Sequence, residues 1–117
     1  MITGRDNSLL RRARAVRDGK VDELIFVEGL RLCEEALRSE LRIEAVIYSE
    51  EIASKERAAR LIDELGKVSE RVASVSENLL ASISYTKTPQ GIVALAARPE
   101  MDETGQRDSD YKRSIHR

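Results

Sequence analysis

The chain has one cysteine in 117 residues, Cys33, and one histidine, His116. A lone thiol excludes an intramolecular disulfide and points to a reducing, cytoplasmic compartment. One Cys and one distant His cannot make a zinc site, so no metal is expected. No glycine-rich phosphate loop of the P-loop or dinucleotide type is present. Long apolar runs are missing too. The longest are Leu24-Ile25-Phe26-Val27 and Ile92 to Ala97, far below the ~20 residues of a membrane span, and neither fits a signal peptide. No membrane partner is expected. Cys33 falls on an apolar stripe and reads as an inert core thiol. The adjacent acids Glu34-Glu35 and Glu50-Glu51 point to different faces of their elements and read as solvated charge.

A surplus of either charge is also lacking, since the net charge is -1. That balance conceals an uneven distribution. Between Arg5 and Lys20 there are six basic residues, Arg5, Arg11, Arg12, Arg14, Arg17 and Lys20, against Asp6 and Asp18. A phosphate backbone would respond to this local excess and not to the total.

The periodicity predicts a helix from Asn7 to Asp18, capped by Asn7, with Leu9, Ala13 and Val16 as its apolar stripe and Gly19 as its stop. Arg11 and Arg14 fall opposite that stripe, and Arg12 and Arg17 flank it. Leu24 to Val27 is apolar throughout, as expected of a strand buried on both faces. Glu28-Gly29 turns into a helix over Leu30 to Ser39, with Cys33, Ala36 and Leu37 inward. A strand over Ile43 to Tyr48 follows. A third helix is predicted from Ser54 to Gly66 on Ala58, Leu61, Ile62 and Leu65. Arg71 to Val75 reads as a weaker strand. Ser76 caps a short helix through Leu79, Leu80 and Ile83. The loop from Ser84 to Gly91 leads into a buried strand, Ile92 to Ala97. This α-β-α-β-α-β-α-β order implies a small layered α/β sheet with helices on its faces. After Arg98 the pattern ends: Arg98 to Arg117 holds five basic and five acidic residues with almost nothing apolar, which predicts a disordered tail or linker over 99–117.

Three segments together resemble the N-terminal substrate-binding domain of the SpoU/TrmH-type RNA ribose methyltransferases. They are Ile2-Thr3-Gly4-Arg5-Asp6-Asn7 before a basic helix, Phe26-Val27-Glu28-Gly29 followed by Glu35-Ala36-Leu37, and Thr86-Lys87-Thr88-Pro89-Gln90-Gly91-Ile92-Val93-Ala94. The resemblance implies a three-layer αβα sandwich around a mixed four-stranded sheet over 1–98, as in the kink-turn-binding ribosomal proteins. It also implies that this domain grips structured RNA, rRNA or tRNA, for a separate catalytic methyltransferase domain. That domain would bind S-adenosylmethionine and methylate a ribose 2′-hydroxyl. Nothing in the chain resembles the cofactor-binding stretches, so the catalytic half is expected to be absent, and no cofactor or catalysis is expected of this chain alone.

The RNA-binding candidates are Arg5, Asn7, Arg11, Arg12, Arg14, Arg17, Lys20, Arg31 and Lys87, cations and a cap suited to phosphates and unpaired bases. Glu28, Gly29, Thr88, Pro89, Gln90 and Gly91 form a supporting motif. Glu28 reads first as a structural acceptor of free backbone amides, because a carboxylate repels phosphate. Tyr85 reads as packing with a capacity to stack on a base. The resemblance places Glu28-Gly29-Leu30-Arg31 beside 86–91, with Gln90 or Thr88 bonded to Glu28. Two alternatives stand: a stand-alone structured-RNA binder of the kink-turn type, and an interaction domain whose basic arm pairs with an acidic protein.

Overall fold

The computed structural model describes residues 2–4, 6–86 and 89–99. Among these residues nine elements follow one another: α1 (Ser8–Arg17), β1 (Leu24–Glu28), α2 (Leu30–Arg38), β2 (Ile43–Ser49), α3 (Glu50–Ala53), α4 (Glu56–Val68), β3 (Val72–Val75), α5 (Glu77–Ala81) and β4 (Ile92–Ala97). The strands form one mixed sheet in the order β1-β4-β2-β3. β4 runs antiparallel to both β1 and β2, and β3 is parallel to β2.

Alternation along the strands divides the core in two. Val93 and Leu95 of β4 and Ala45 and Ile47 of β2 face α1 and α5, meeting Leu10, Ala13, Leu80 and Ile83. Ile92, Ala94 and Ala96 face α2 and α4, meeting Cys33, Ala36, Leu61 and Leu65. The result is the αβα sandwich expected. β4 is the strand buried on both faces, whereas β1 lies at the sheet edge and is only half-buried.

Three sequence-based boundaries need correction. α3 is a separate four-residue turn capped by Ser49, whose hydroxyl accepts from the Ile52 amide. α4 passes through Gly66 to Val68 because Leu65 stays locked in the core, so that glycine does not end it. β2 carries a bulge at Ile43/Ala45 that reverses the alternation. Ile43 thereby joins the α2–α4 core, and Glu44 reaches Arg12 of α1.

Cys33 is fully buried, its thiol 3.8 Å from the Val27 carbonyl. Burial pushes the thiol pKa up to about 12. A water-soluble disulfide reagent is therefore expected to leave Cys33 unlabelled in the folded chain and to label it at the rate of unfolding. Fast labelling under native conditions would contradict this packing.

Candidate nucleic-acid interface

The strand directions bring one set of chain turns to a single end of the sheet. β1 ends there at Glu28, β2 at Ser49 and β3 at Val75, and β4 begins there at Ile92. Gly29 follows with φ 103 and ψ 155, a backbone conformation that is almost exclusively glycine's. Its N–H donates to the Ile92 carbonyl at 2.9 Å, stitching the start of α2 to the start of β4. A Cβ at Gly29 would lie 3.7 Å from the Gln90 side chain, so the junction and the pre-β4 loop are in contact. Gly91, with φ +90, bonds through its carbonyl to the Ser49 amide at 2.9 Å.

Glu28 organises this end. Its carboxylate accepts from the Ser84 hydroxyl (2.5 Å), the Tyr85 amide (3.0 Å) and the Gln90 amide (3.4 Å). The expectation that Glu28 serves backbone amides holds, but these belong to the loop before β4 and not to α2. The donor from Gln90 is its main chain, and Ser84, absent from the sequence-based candidates, supplies the nearest contact. Ser84 is itself buried and ends a segment held over the core by Ile83. Thr88 and Lys87 lie outside the described residues. Pro89 is half-buried between them and Gln90. Tyr85 is 62% exposed and meets Phe26 edge-to-face, with centroids 5.0 Å apart. One side of its ring is thus packed, and much of the rest faces solvent.

Beside Gln90 opens a groove of about 540 Å³ lined by Leu30, Arg31, Glu34, Arg38, Arg57 and Gln90. Arg31 is exposed and makes no ion pair among the described residues. The first turn of α2 holds no acid, and Gly29 offers no capping side chain. Its leading amides are therefore available to an acceptor. Arg57 of α4 reaches across to Glu34 of α2 with two parallel bonds, 3.0 and 2.6 Å. That fork holds the Glu34 carboxyl below the usual range and raises the Arg57 guanidinium. Arg38 pairs with Glu35 at 3.2 Å. Arg57 and Arg38 escaped the sequence reading. Their spacing on α4 and α2 shows only exposed charge, and the approach of the two helices creates the groove.

The basic helix α1 lies on the other face of the sheet. Asn7 caps it as expected, its Oδ1 accepting from the Leu9 amide at 2.8 Å. Its arginines are not equivalent. Arg11 is exposed and unpaired among the described residues, and Lys20 is exposed beyond the helix end. Arg12 forms a bidentate pair with Glu44, which lowers the Glu44 carboxyl and raises the guanidinium. Arg14 is half-buried. Arg17 bonds Asp18 at 2.9 Å and donates to the Ser82 carbonyl at 3.3 Å, fastening α1 to the turn that leads to Ser84. Arg12 and Arg17 are therefore already engaged within the fold. Arg5 lies outside the described residues. Among the described residues, no group of three His, Cys, Asp or Glu side chains could hold a metal. No described helix is long and apolar enough to cross a membrane.

A sequence comparison with curated proteins finds no match. Solved structures do match. An AdoMet-bound rRNA methyltransferase from Sinorhizobium meliloti superposes with a TM-score of 0.69 at 20% identity, over 84% of this chain and 36% of that one. An RNA 2′-O ribose methyltransferase gives a TM-score of 0.70 at 24% identity, over 87% and 39%. The SpoU methyltransferase AviRb from Streptomyces viridochromogenes, in complex with the cofactor AdoMet, gives 0.63 at 19%, over 84% and 36%. The chain thus spans well under half the length of these proteins, and at such identities the likeness establishes the shared fold. The sequence itself supplies the family: residues 9–94 match the MRM3-like substrate binding domain, and the chain belongs to that family.

Proposed function

We propose that this chain recognises structured RNA, rRNA or tRNA, and presents it to a S-adenosylmethionine-dependent 2′-O-ribose methyltransferase domain outside these 117 residues, in the cytoplasm. The observation that carries the reading is the Glu28 cluster. One carboxylate, bonded by three donors from 84–90, holds the loop against the β1–α2 junction. Arg31 and the open first turn of α2 lie beside Gln90 at this end of the sheet, and the exposed face of Tyr85 lies by Phe26 on the α1 side of it. Cations and amides take phosphates, and an exposed ring takes an unpaired base, the combination that single-stranded and bulged RNA requires. Lys87 sits in the same loop by sequence and adds a further cation. Arg11 and Lys20 offer a second set of phosphate contacts on the α1 face.

We assign no S-adenosylmethionine site to the described residues. The apolar groove along β1 and α2, about 140 Å³, is far below the ~300–1,000 Å³ of small-molecule sites, and the larger groove beside Gln90 is walled by charge. No chemical step is therefore assigned to these residues.

The test is binding of the chain to a bulged stem–loop RNA, read by fluorescence anisotropy as salt is varied. Three phosphate contacts predict that log affinity falls with log salt at a slope of about -2 to -3. Absence of binding, or a slope near zero, would overturn the proposal.

A further inference from the structure

We propose that the groove between α2 and α4 is a binding track for the RNA sugar–phosphate backbone, and that Glu34 holds the phosphate position on Arg57 until RNA replaces it. The inference rests on the RNA reading above and adds a face of the domain and a residue that competes for it.

Two hollows, of about 540 and 260 Å³, share Glu34, Arg38 and Arg57, so they run into one another from Gln90 down to Glu64. Four arginines line the joined track, Arg31, Arg38, Arg57 and Arg60, with the acids Glu34 and Glu64, and Arg38 and Arg60 also pair with Glu35 and Glu56 beside it. Its mouth lies at the uncapped start of α2, where the Glu28-held loop also ends. A backbone entering there meets Arg31 first and Arg57 next.

The Arg57 fork already displays the geometry a phosphate uses. Its Nε and Nη2 each meet one oxygen of Glu34, and two non-bridging phosphate oxygens fill the same pair of positions. The Arg57 side chain is 62% exposed, so solvent and salt screen its pair with Glu34 and little is lost when the partner changes. Glu34 thus keeps the guanidinium aimed across the groove and withholds it from weak or non-specific anions.

The chain contains its own control. Arg42 and Glu70 form a more open surface pair at the opposite end of the sheet, away from the groove, with the arginine about as exposed as Arg57 and the acid more exposed than Glu34. Glu34→Gln and Glu70→Gln each remove one negative charge and release one arginine, so overall charge affects both alike. With the bulged stem–loop RNA as probe, Glu34→Gln is expected to tighten binding about 3- to 10-fold and to steepen the salt slope by about 1, while Glu70→Gln changes affinity less than about twofold. Arg57→Gln should weaken binding about tenfold and flatten the slope by about 1, with an unchanged thermal midpoint. Equal effects of Glu34→Gln and Glu70→Gln, or unaltered binding by Arg57→Gln, overturn the track and leave RNA recognition standing. Failure of the unaltered chain to bind RNA removes both readings.

Discussion

Alanine in place of Gly91 is expected to destabilise the domain by roughly 2–5 kcal/mol, combining backbone strain at positive φ with overpacking. The new Cβ would stand 2.5 Å from Ile52 Cδ1 and 3.0 Å from Ile52 Cβ. Only the first of these atoms can swing away, because Cβ is fixed to the α3 backbone. α3 cannot retreat easily either, since the Gly91 carbonyl bonds the Ser49 amide that opens it. Gly19 supplies the comparison: its φ is +77, but nothing lies within 4 Å of an added Cβ. Gly19→Ala should therefore cost only the conformational part, about 1–2 kcal/mol. Urea denaturation of both variants measures the difference. Adding Ile52→Ala to Gly91→Ala should recover part of the loss, a coupling expected only if the two side chains collide. Equal midpoints for the two glycine variants would mean that the contact with Ile52 is not tight.

The second large effect is expected at Glu28. Truncation to alanine leaves the buried Ser84 hydroxyl and two loop amides without their acceptor, a loss of about 2–4 kcal/mol if the loop stays in place. The loop can instead detach and hydrate, which lowers the stability cost and disorders the surface proposed above to meet RNA. Hydrogen exchange separates these outcomes. The Tyr85 and Gln90 amides should lose protection in Glu28→Ala, while those of β4 keep theirs. Glu28→Gln is the sharper test, because its amide group turns donors toward donors on at least one side. Stability within about 0.5 kcal/mol of the parent for both variants would show that Glu28 does not hold the loop.

Much of this architecture is legible in the residues. The β4 run Ile92 to Ala97 and the caps Asn7 and Ser76 are local signals, and each element begins where they place it, although α5 stops at Ala81, short of the expected Ile83. The meeting of Glu28-Gly29 with Gln90-Gly91 follows from the family resemblance, and the structure places them in contact. What stayed hidden depends on distant partners. The bulge at Glu44 leaves no mark on the local pattern, because a two-residue period with one extra residue reads as noise. The pairing of Arg12 with Glu44 follows from that bulge, so six basic residues read as a free arm although Arg12 and Arg17 are engaged. The Glu34–Arg57 fork needs the spacing of α2 and α4, which no single helix encodes.

The position of β4 has a consequence for how the domain is made. Among the described residues, the last strand lies between β1 and β2, pairing with both, and β1 has no other neighbour in the sheet. A nascent chain that has reached only Tyr85 can pair β2 with β3 and form its helices, but β1 remains without a partner. Sheet completion must therefore await the emergence of residues 92–97, with the apolar stretch Leu24 to Val27 exposed in the interval. Contacts spanning some seventy residues close late and slowly. During that delay the half-made domain is a natural client for chaperones and a target for proteases.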